Sequence, residues 1–487
     1  MFRPLAAAIA LALPLAVSTV GCQSASRTFS RSGWVASGAT VAVDPTGVAI
    51  LTARTAGNVW AWAQRGVRAS PGTRYVTSTA ARAGATGRLV VGFEAFTDAN
   101  RKVISMTWGL GVDDAPGKWT PVTPVTGIAP PGTSYVTCGV VVGQVAAHEA
   151  HQLQVPSITG TRVIPAPIEG PLRTAGNRIV QANGRIVTLR GVNRSGSELS
   201  PPNFPTDFEI GQARAWGANL IRVLLSEPLW LDTCAGTYDG SAYQRAVDAE
   251  VRSITSRRMV ALLDLHFSVA GPCGRPNQQA MADERYAPAF WREVAARYQA
   301  NPLVAFDLYN EPHDLSDRVW LDGGLVTDIY PPYPTFLAAG MQQLYEVVRA
   351  TGARNLVFVS GTDWADRPAS TPVSGYNIVN AAHVYTCQGR PCTAVRPFDP
   401  SPTFDKWVMA GQARPVVVTE TGFPDSAAGY RWFANLVASA EGRGWGWCVF
   451  AWDGSTSGEF DLLASLSPVY EPSPAGMPVL AGLGRNS

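Results

Sequence analysis

From Val187 to about Trp452, short apolar runs alternate with stretches in which apolar residues recur every three or four positions. The runs end near Asn193, Leu225, His266, Glu311, Ser360, Tyr385, Glu420 and Trp452. A continuous apolar run suits a strand buried on both faces, and the longer spacing suits a helix packed along one side. In the intervals, Trp291, Ala295 and Tyr298 share a helical face, as do Leu337, Met341, Leu344 and Val348. This alternation predicts an α/β architecture, a closed (β/α)8 TIM barrel. A doubly wound open sheet would show fewer strands and a Gly-rich phosphate turn, and the chain has no such turn.

Upstream the period shortens. From about residue 30 to 160, β-branched and apolar runs such as Thr40–Val43, Arg88–Phe96 and Tyr135–Val142 are separated by Gly, Pro, Asp and Thr turns. That spacing predicts an all-β sandwich. Val155–Pro171 is rich in Pro, Gly, Ser and Thr and reads as a linker. A new domain begins near Leu172, with a two-stranded ribbon over Gly176–Leu189 turned at Ala182-Asn183-Gly184. Before all of this, Arg3 precedes an uncharged apolar run from Leu5 to Val20, which has the form of an export signal. The expected plan is a signal over 1–22, the sandwich over 23–160, a linker over 161–171, the barrel over 172–475 and a tail over 476–487.

Composition narrows the partners. With 487 residues the chain exceeds one ordinary core, and a formal net charge of +2 offers no polyanion-binding surface, so no nucleic acid is expected. The Leu5–Val20 run is short for a membrane span, and no later segment is longer and as apolar, which leaves membrane attachment only through a lipid on Cys22. Thr19 stands where a lipoprotein signal usually has a large aliphatic residue, so acylation and simple secretion both stay open. An exported chain can form disulfides. The candidates are Cys387 with Cys392, which bracket a Gly-Arg-Pro turn, and Cys234 with Cys273, in loops that the barrel would set side by side. The alternative for each pair is free thiols. No metal is expected, because no CxxC spacing occurs and His148 and His151 lack further ligands at motif spacing. The expected molecule is a monomer without cofactor.

In a (β/α)8 barrel the active site lies at the C-terminal ends of the strands, and those ends are unusually polar here. Arg222 follows Asn219-Leu220-Ile221, His266 closes Val260–Leu265, and Asn310 and Glu311 close Val304–Tyr309. His383 and Tyr385 close Ile378–Ala382, Glu420 follows three valines and a threonine, and Trp452 follows Cys448–Ala451. An unpaired buried carboxylate costs several kcal/mol, so packing gives no reason for Glu420. Function is the simpler account.

On these residues the chain resembles glycoside hydrolase family 5, the cellulase family, from Gly176 to about Ala464. Arg222, His266, the Asn310-Glu311-Pro312 turn, His383, Tyr385, Glu420 in Thr419-Glu420-Thr421-Gly422, and Trp452 each match a position of that family's active site. The resemblance implies a retaining hydrolase of a β-linked polysaccharide or oligosaccharide, β-1,4-glucan first, with Glu311 as acid/base and Glu420 as nucleophile. Retention needs the two carboxyl groups about 5–5.5 Å apart. Arg222 and Tyr385 would then orient Glu420, Asn310 would hold the sugar hydroxyl beside the reacting carbon, and His266 and His383 would bind hydroxyls or steady Glu311. Trp452 would floor the sugar site and Trp364 would form a neighbouring platform. Other β-linked substrates, such as mannan, β-1,3 or mixed-linkage glucan, a glycolipid or an exo-cleaved glycoside, fit the same chemistry. A carbohydrate-binding protein without catalysis is the reading from another class. The sandwich resembles the jelly-roll carbohydrate-binding modules appended to bacterial glycosidases, over Gly87–Phe96 and Trp119–Val142. Trp34, Trp60, Trp62, Trp108 and Trp119 could serve its core or a sugar, and none is assigned.

Overall fold

The computed structural model describes residues 18–21, 33–63, 66–69, 73–129, 133–154, 156–161, 166–233, 239–268, 278–329, 334–386, 401–453, 460–463 and 472–483. The chain divides into two compact units, residues 1–162 and 163–487.

The second unit is a closed eight-stranded parallel barrel. Its strands are β1 (Arg190–Arg194), β2 (Leu220–Ser226), β3 (Val260–Phe267), β4 (Val304–Asp307), β5 (Val357–Ser360), β6 (Ile378–Tyr385), β7 (Val416–Gly422) and β8 (Gly446–Val449). Closure is made where Gly191 of β1 pairs with Cys448 of β8. Gly191 is required by contact, since a Cβ there would lie 1.9 Å from the Leu220 carbonyl oxygen. Every residue of β2 is buried, which is why these strands read as unbroken apolar runs. Leu189, Leu220, Leu262, Ala305, Phe358, Ala381, Val417 and Cys448 belong to one apolar core. Two residues further along β2, β3 and β4, the same alternation places Arg222, Asp264 and Asp307, so the interior changes from hydrocarbon to charge toward the C-terminal mouth.

Helices follow local signals. Asp207–Trp216 starts after Thr206, whose side chain accepts the Glu209 N–H, and stops at Gly217 with φ 107°. Gly240–Ser256 is capped by Asp239 and buries Tyr243, Val247, Val251 and Ile254 on one side. Met341–Ala350 buries Met341, Leu344, Tyr345 and Val348, but Leu337 is not part of that stripe. It lies on a short antiparallel strand, Thr335–Ala338 paired with Gly324–Thr327, and is 51% exposed. A residue four positions upstream fits the helical period, yet the Gly340 N-cap starts the helix after it.

Two other expectations are corrected. β4 leaves its ladder at Asp307, so Glu311 sits beyond the strand, although Asn310 still donates to the Leu265 carbonyl at 3.1 Å. The ribbon near residue 180 has its ladder between Arg173–Ala175 and Arg178–Val180, and the expected Asn183-Gly184 turn follows it, with the Gln181 N–H on the Arg185 carbonyl and the Val187 N–H on the Ile179 carbonyl, both at 2.9 Å. Gly476–Leu483, expected as tail, is a helix whose Val479, Leu480 and Leu483 are buried, because their spacing makes one apolar stripe. The Pro/Gly-rich stretch read as a linker is structured at both ends. Ser157–Thr161 is a strand on Arg74–Ala83, and Ile168 is buried in the barrel core. Cys22, Cys234, Cys273, Cys387 and Cys392 lie outside the described residues, and Cys448 is a buried free thiol.

The first unit consists of two antiparallel sheets whose facing residues share a core. Leu51, Ala81, Val122 and Leu153 come from one sheet, and Val59, Ala61, Val90, Val140 and Val142 from the other. Its outermost strand, Ser18–Gly21, falls within the segment read as an export signal. Trp34 joins this core, whereas Trp60 and Trp62 pack with Phe93 and Met106 on the opposite face of their sheet.

Glu94 points into the sandwich, fully buried, with the Thr77 hydroxyl donating to it at 2.7 Å. Burial pushes its carboxyl from the ordinary 4.5 up to about 8. A folded value above the unfolded one adds stability that is complete below about 4.5 and lost as pH rises through about 8. The melting transition of this unit should therefore fall between pH 5 and pH 9, and Glu94→Gln should flatten that slope and melt higher at pH 9. Scanning calorimetry across this range checks it, and an unchanged slope in the variant would contradict the assignment.

Candidate active site

The mouth of the barrel is organised around Arg222. Its side chain is fully buried and meets three carboxylates, Asp264 at 3.0 Å, Asp307 at 2.9 Å and Glu420 at 2.5 Å. It also donates to Asn193 Oδ1 at 3.1 Å and Asn310 Oδ1 at 2.9 Å. Burial alone would discharge a guanidinium, but the surrounding carboxylates hold Arg222 charged. One cation does not neutralise three anions. Burial raises the proton affinity of Asp307 despite Arg222, so the excess charge is relieved there.

Glu420, at the end of β7, is the opposite case. Burial would raise its proton affinity, but His383, Arg222 and His266 together with the Tyr385 hydroxyl lower it well below the usual carboxylate range. Tyr385 donates to Oε2 at 2.8 Å while Arg222 holds Oε1, so both oxygens are fixed in an ionised, oriented carboxylate. Glu311 stands across from it in a different setting. Its Oε1 lies 2.7 Å from His383 Nδ1, and its Oε2 accepts from the Gln278 amide. His383 Nδ1 is also 3.6 Å from Glu420 Oε2, and an atom from each of Glu311, His383 and Glu420 lies within 4.8 Å of the other two. Burial opposes charge on His383, yet the two glutamates raise its proton affinity. His266 is buried, and its Nδ1 lies 2.8 Å from Asp264 Oδ2.

Those three donors are where a cation would find ligands. The same oxygens already accept from Arg222, Tyr385 and Gln278, which is a hydrogen-bonded arrangement of organic groups rather than a vacant coordination sphere.

Of the residues singled out by sequence, the structure thus gathers Arg222, His266, Asn310, Glu311, His383, Tyr385 and Glu420. Trp452 is placed differently from expectation, and Trp364 lies on the loop after β5. Trp452 is 1% exposed, its ring edge-on to Trp216 at 4.7 Å and its backbone N–H on the Asn193 carbonyl at 2.7 Å, so it packs the barrel rim. Trp364 is half-buried and stacks face to face on His313 at 3.7 Å. Asp363, Trp364 and Ala365 take φ of 54°, 63° and 56°, a left-handed turn that costs about 1 kcal/mol or more per non-glycine residue. The turn lets the Trp364 N–H reach the Pro312 carbonyl at 3.0 Å and the Ala365 carbonyl receive the His383 N–H at 2.9 Å. It ties the Asn310-Glu311-Pro312 turn to β6.

Sequence reasoning missed Asn193, Asp264, Asp307 and Gln278. Asp264 carried a readable signal, two residues before His266 on the same strand face, and Asp307 sits inside an apolar run just as Glu420 does. Gln278 carried none.

A family model, Cellulase (glycosyl hydrolase family 5), matches residues 180–456, the stretch that supplies every one of these side chains. The chain belongs to glycosyl hydrolase family 5. Among similar proteins, "Probable endo-beta-1,4-glucanase B" of Aspergillus oryzae is 32% identical over 143 residues, 27% of this chain and 41% of that protein. "Endoglucanase 1" of Saitozyma flava is 27% identical over 261 residues, 48% of this chain and 71% of that protein. The chain thus spans under half the length of the first of these relatives. The crystal structure of beta-glucanase SdGluc5_26A from Saccharophagus degradans in complex with cellotetraose aligns with TM-score 0.52 at 20% identity, covering 66% of this chain and 94% of that one. That is a likeness of fold.

Proposed function

We propose that the barrel is a retaining endo-acting hydrolase of β-1,4-glucan. The observation that carries this reading is the opposed pair of glutamates, with carboxyl atoms within 4.8 Å and unlike surroundings. Retaining glycosidases place their two carboxyl groups about 5–5.5 Å apart, whereas inversion needs roughly 6.5–9.5 Å to admit a water. Glu420, held ionised, attacks the anomeric carbon, and Glu311 protonates the departing glycosidic oxygen. Glu311 then takes a proton from the water that releases the sugar. Because Arg222 holds Asn310 by Oδ1, the amide NH2 is the end offered to a sugar hydroxyl. The names of two similar proteins, an endo-beta-1,4-glucanase and an endoglucanase, support β-1,4-glucan as substrate.

The sandwich is proposed to keep the enzyme on insoluble glucan by raising its effective concentration. Trp60, Phe93 and Trp108 support this, since their rings cluster at 5.4–5.8 Å on the sheet face away from the core, with Trp108 40% exposed. Export is supported by the apolar run from Leu5 to Val20. Among the described residues, no helix is long and apolar enough to cross a membrane.

The deciding experiment incubates the protein with cellulose, mixed-linkage glucan, β-1,3-glucan, mannan and short oligosaccharides, and follows products and anomeric configuration by NMR. The reading expects fastest cleavage of β-1,4-glucan at internal bonds with the β-anomer formed first, and sedimentation with insoluble cellulose. An α-anomer as first product would refute retention, preference for mannan or β-1,3-glucan would refute the substrate, and binding without cleavage at any pH would make the barrel a lectin-like surface.

A further inference from the structure

We propose that Gln278 is a positioning residue for Glu311, holding the acid/base carboxyl in register and easing release of its proton. The inference rests on the reading of Glu311 as acid/base. Gln278 Nε2 donates to Glu311 Oε2, on the opposite side of the carboxyl from His383, which meets Oε1 at 2.7 Å. The residues that follow Gln278 form a buried, hydrogen-bonded strip of chain. The Gln279 N–H reaches the Tyr309 hydroxyl at 3.1 Å, and that hydroxyl donates back to the Gln279 carbonyl at 2.6 Å. His313 N–H donates to the Ala280 carbonyl at 3.0 Å, and Ala280, Met281 and Ala282 are fully buried. Tyr309 and His313 lie on either side of Glu311 in sequence, so both flanks of the Asn310-Glu311-Pro312 turn are fastened to the strip that carries Gln278. The amide is therefore aimed at Glu311 by backbone contacts that do not involve substrate.

An amide N–H is a donor at every pH and neither takes nor gives a proton. Donated to a carboxyl oxygen, it binds the ionised form more strongly than the neutral one. In the first step Glu311 loses its proton to the glycosidic oxygen as the C–O bond breaks and Glu420 bonds the anomeric carbon. The Gln278 contact strengthens as that negative charge appears, and it adds most where the leaving group needs the most protonation. Loss of the amide removes that support from the carboxylate as it forms, so proton transfer to the leaving oxygen is slowed.

The test compares wild type, Gln278→Leu and Glu311→Gln on aryl β-cellobiosides of graded leaving-group acidity. For Gln278→Leu the expected kcat/KM falls about tenfold with a poorly acidic phenol, one charge-assisted hydrogen bond, and less than about threefold with 2,4-dinitrophenol, which departs without protonation. Equal losses on both leaving groups would overturn the proposal, as would full activity on both. Gln278→Asn, whose shorter side chain keeps the amide but not the reach, should resemble the leucine variant; wild-type behaviour there would also overturn it. If Glu311→Gln itself shows no dependence on leaving group, it is the acid/base assignment that fails, a result distinct from failure of Gln278 alone.

Discussion

Glu420→Gln is expected to lose on the order of 10⁴-fold or more in kcat on both polysaccharide and aryl glycosides, because an amide cannot form the covalent bond to the sugar. Glu311→Gln is expected to lose about 10²–10⁴-fold on polysaccharide, the usual share of general acid catalysis, but far less in the first step on a dinitrophenyl glycoside. The two variants are close isosteres, so a difference between them reports chemistry rather than folding. The asymmetry follows from the surroundings already described. Arg222 and Tyr385 hold Glu420 as an anion, which suits attack, while Glu311 faces His383 and a neutral amide and is more open to the cleft. With the dinitrophenyl substrate, Glu311→Gln should accumulate a glycosyl-enzyme visible by mass spectrometry, and azide should restore turnover to give a β-glycosyl azide. Retention of more than a tenth of wild-type turnover by Glu420→Gln would remove the nucleophile from the proposal. A Glu311→Gln variant equally impaired on every leaving group would remove the acid.

Arg222→Met should destabilise the barrel by about 3–5 kcal/mol, the usual cost of leaving buried charge without its partner, and should abolish turnover. The loss should depend on pH in a defined direction. In the wild type, the lowered proton affinity of Glu420 adds stability that is present above its unfolded value and lost as pH falls. In the variant, Asp307 and Glu420 stay buried without the guanidinium that opposed protonation of both, so burial holds protons on them more tightly in the folded state than in the unfolded one. Its stability is therefore greatest at low pH and falls as pH rises. The gap in melting temperature between wild type and Arg222→Met should widen from pH 4 to pH 8. Arg222→Lys keeps a charge but loses the planar fork that reaches three carboxylates and two amides, and should fall between the two. Calorimetry at several pH values decides, and a gap that stays constant would mean that Arg222 acts by packing rather than by neutralising charge.

The strands and the anomaly at their ends are legible along the chain. A barrel strand is buried on both faces, so Val416–Thr419 had to be apolar or small, and a carboxylate directly after it had to stand out. The same logic exposed Arg222, His266, Asn310, Glu311, His383 and Tyr385, since each violates a local rule that can be read along the chain. What the tertiary structure alone decided is who meets whom. Arg222 and Glu420 are 198 residues apart and His383 and Glu311 are 72 apart, and no local pattern encodes those pairs. Closure of the sheet brings them together and makes three carboxylates share one guanidinium. It also turned Trp452 from an expected open floor into rim packing, because ring exposure depends on a neighbour, Trp216, set by helix placement. Gln278 was invisible for a related reason. A glutamine in a loop breaks no rule of period or burial, and tertiary contacts, the Tyr309 hydroxyl gripping the next residue among them, aim it at Glu311.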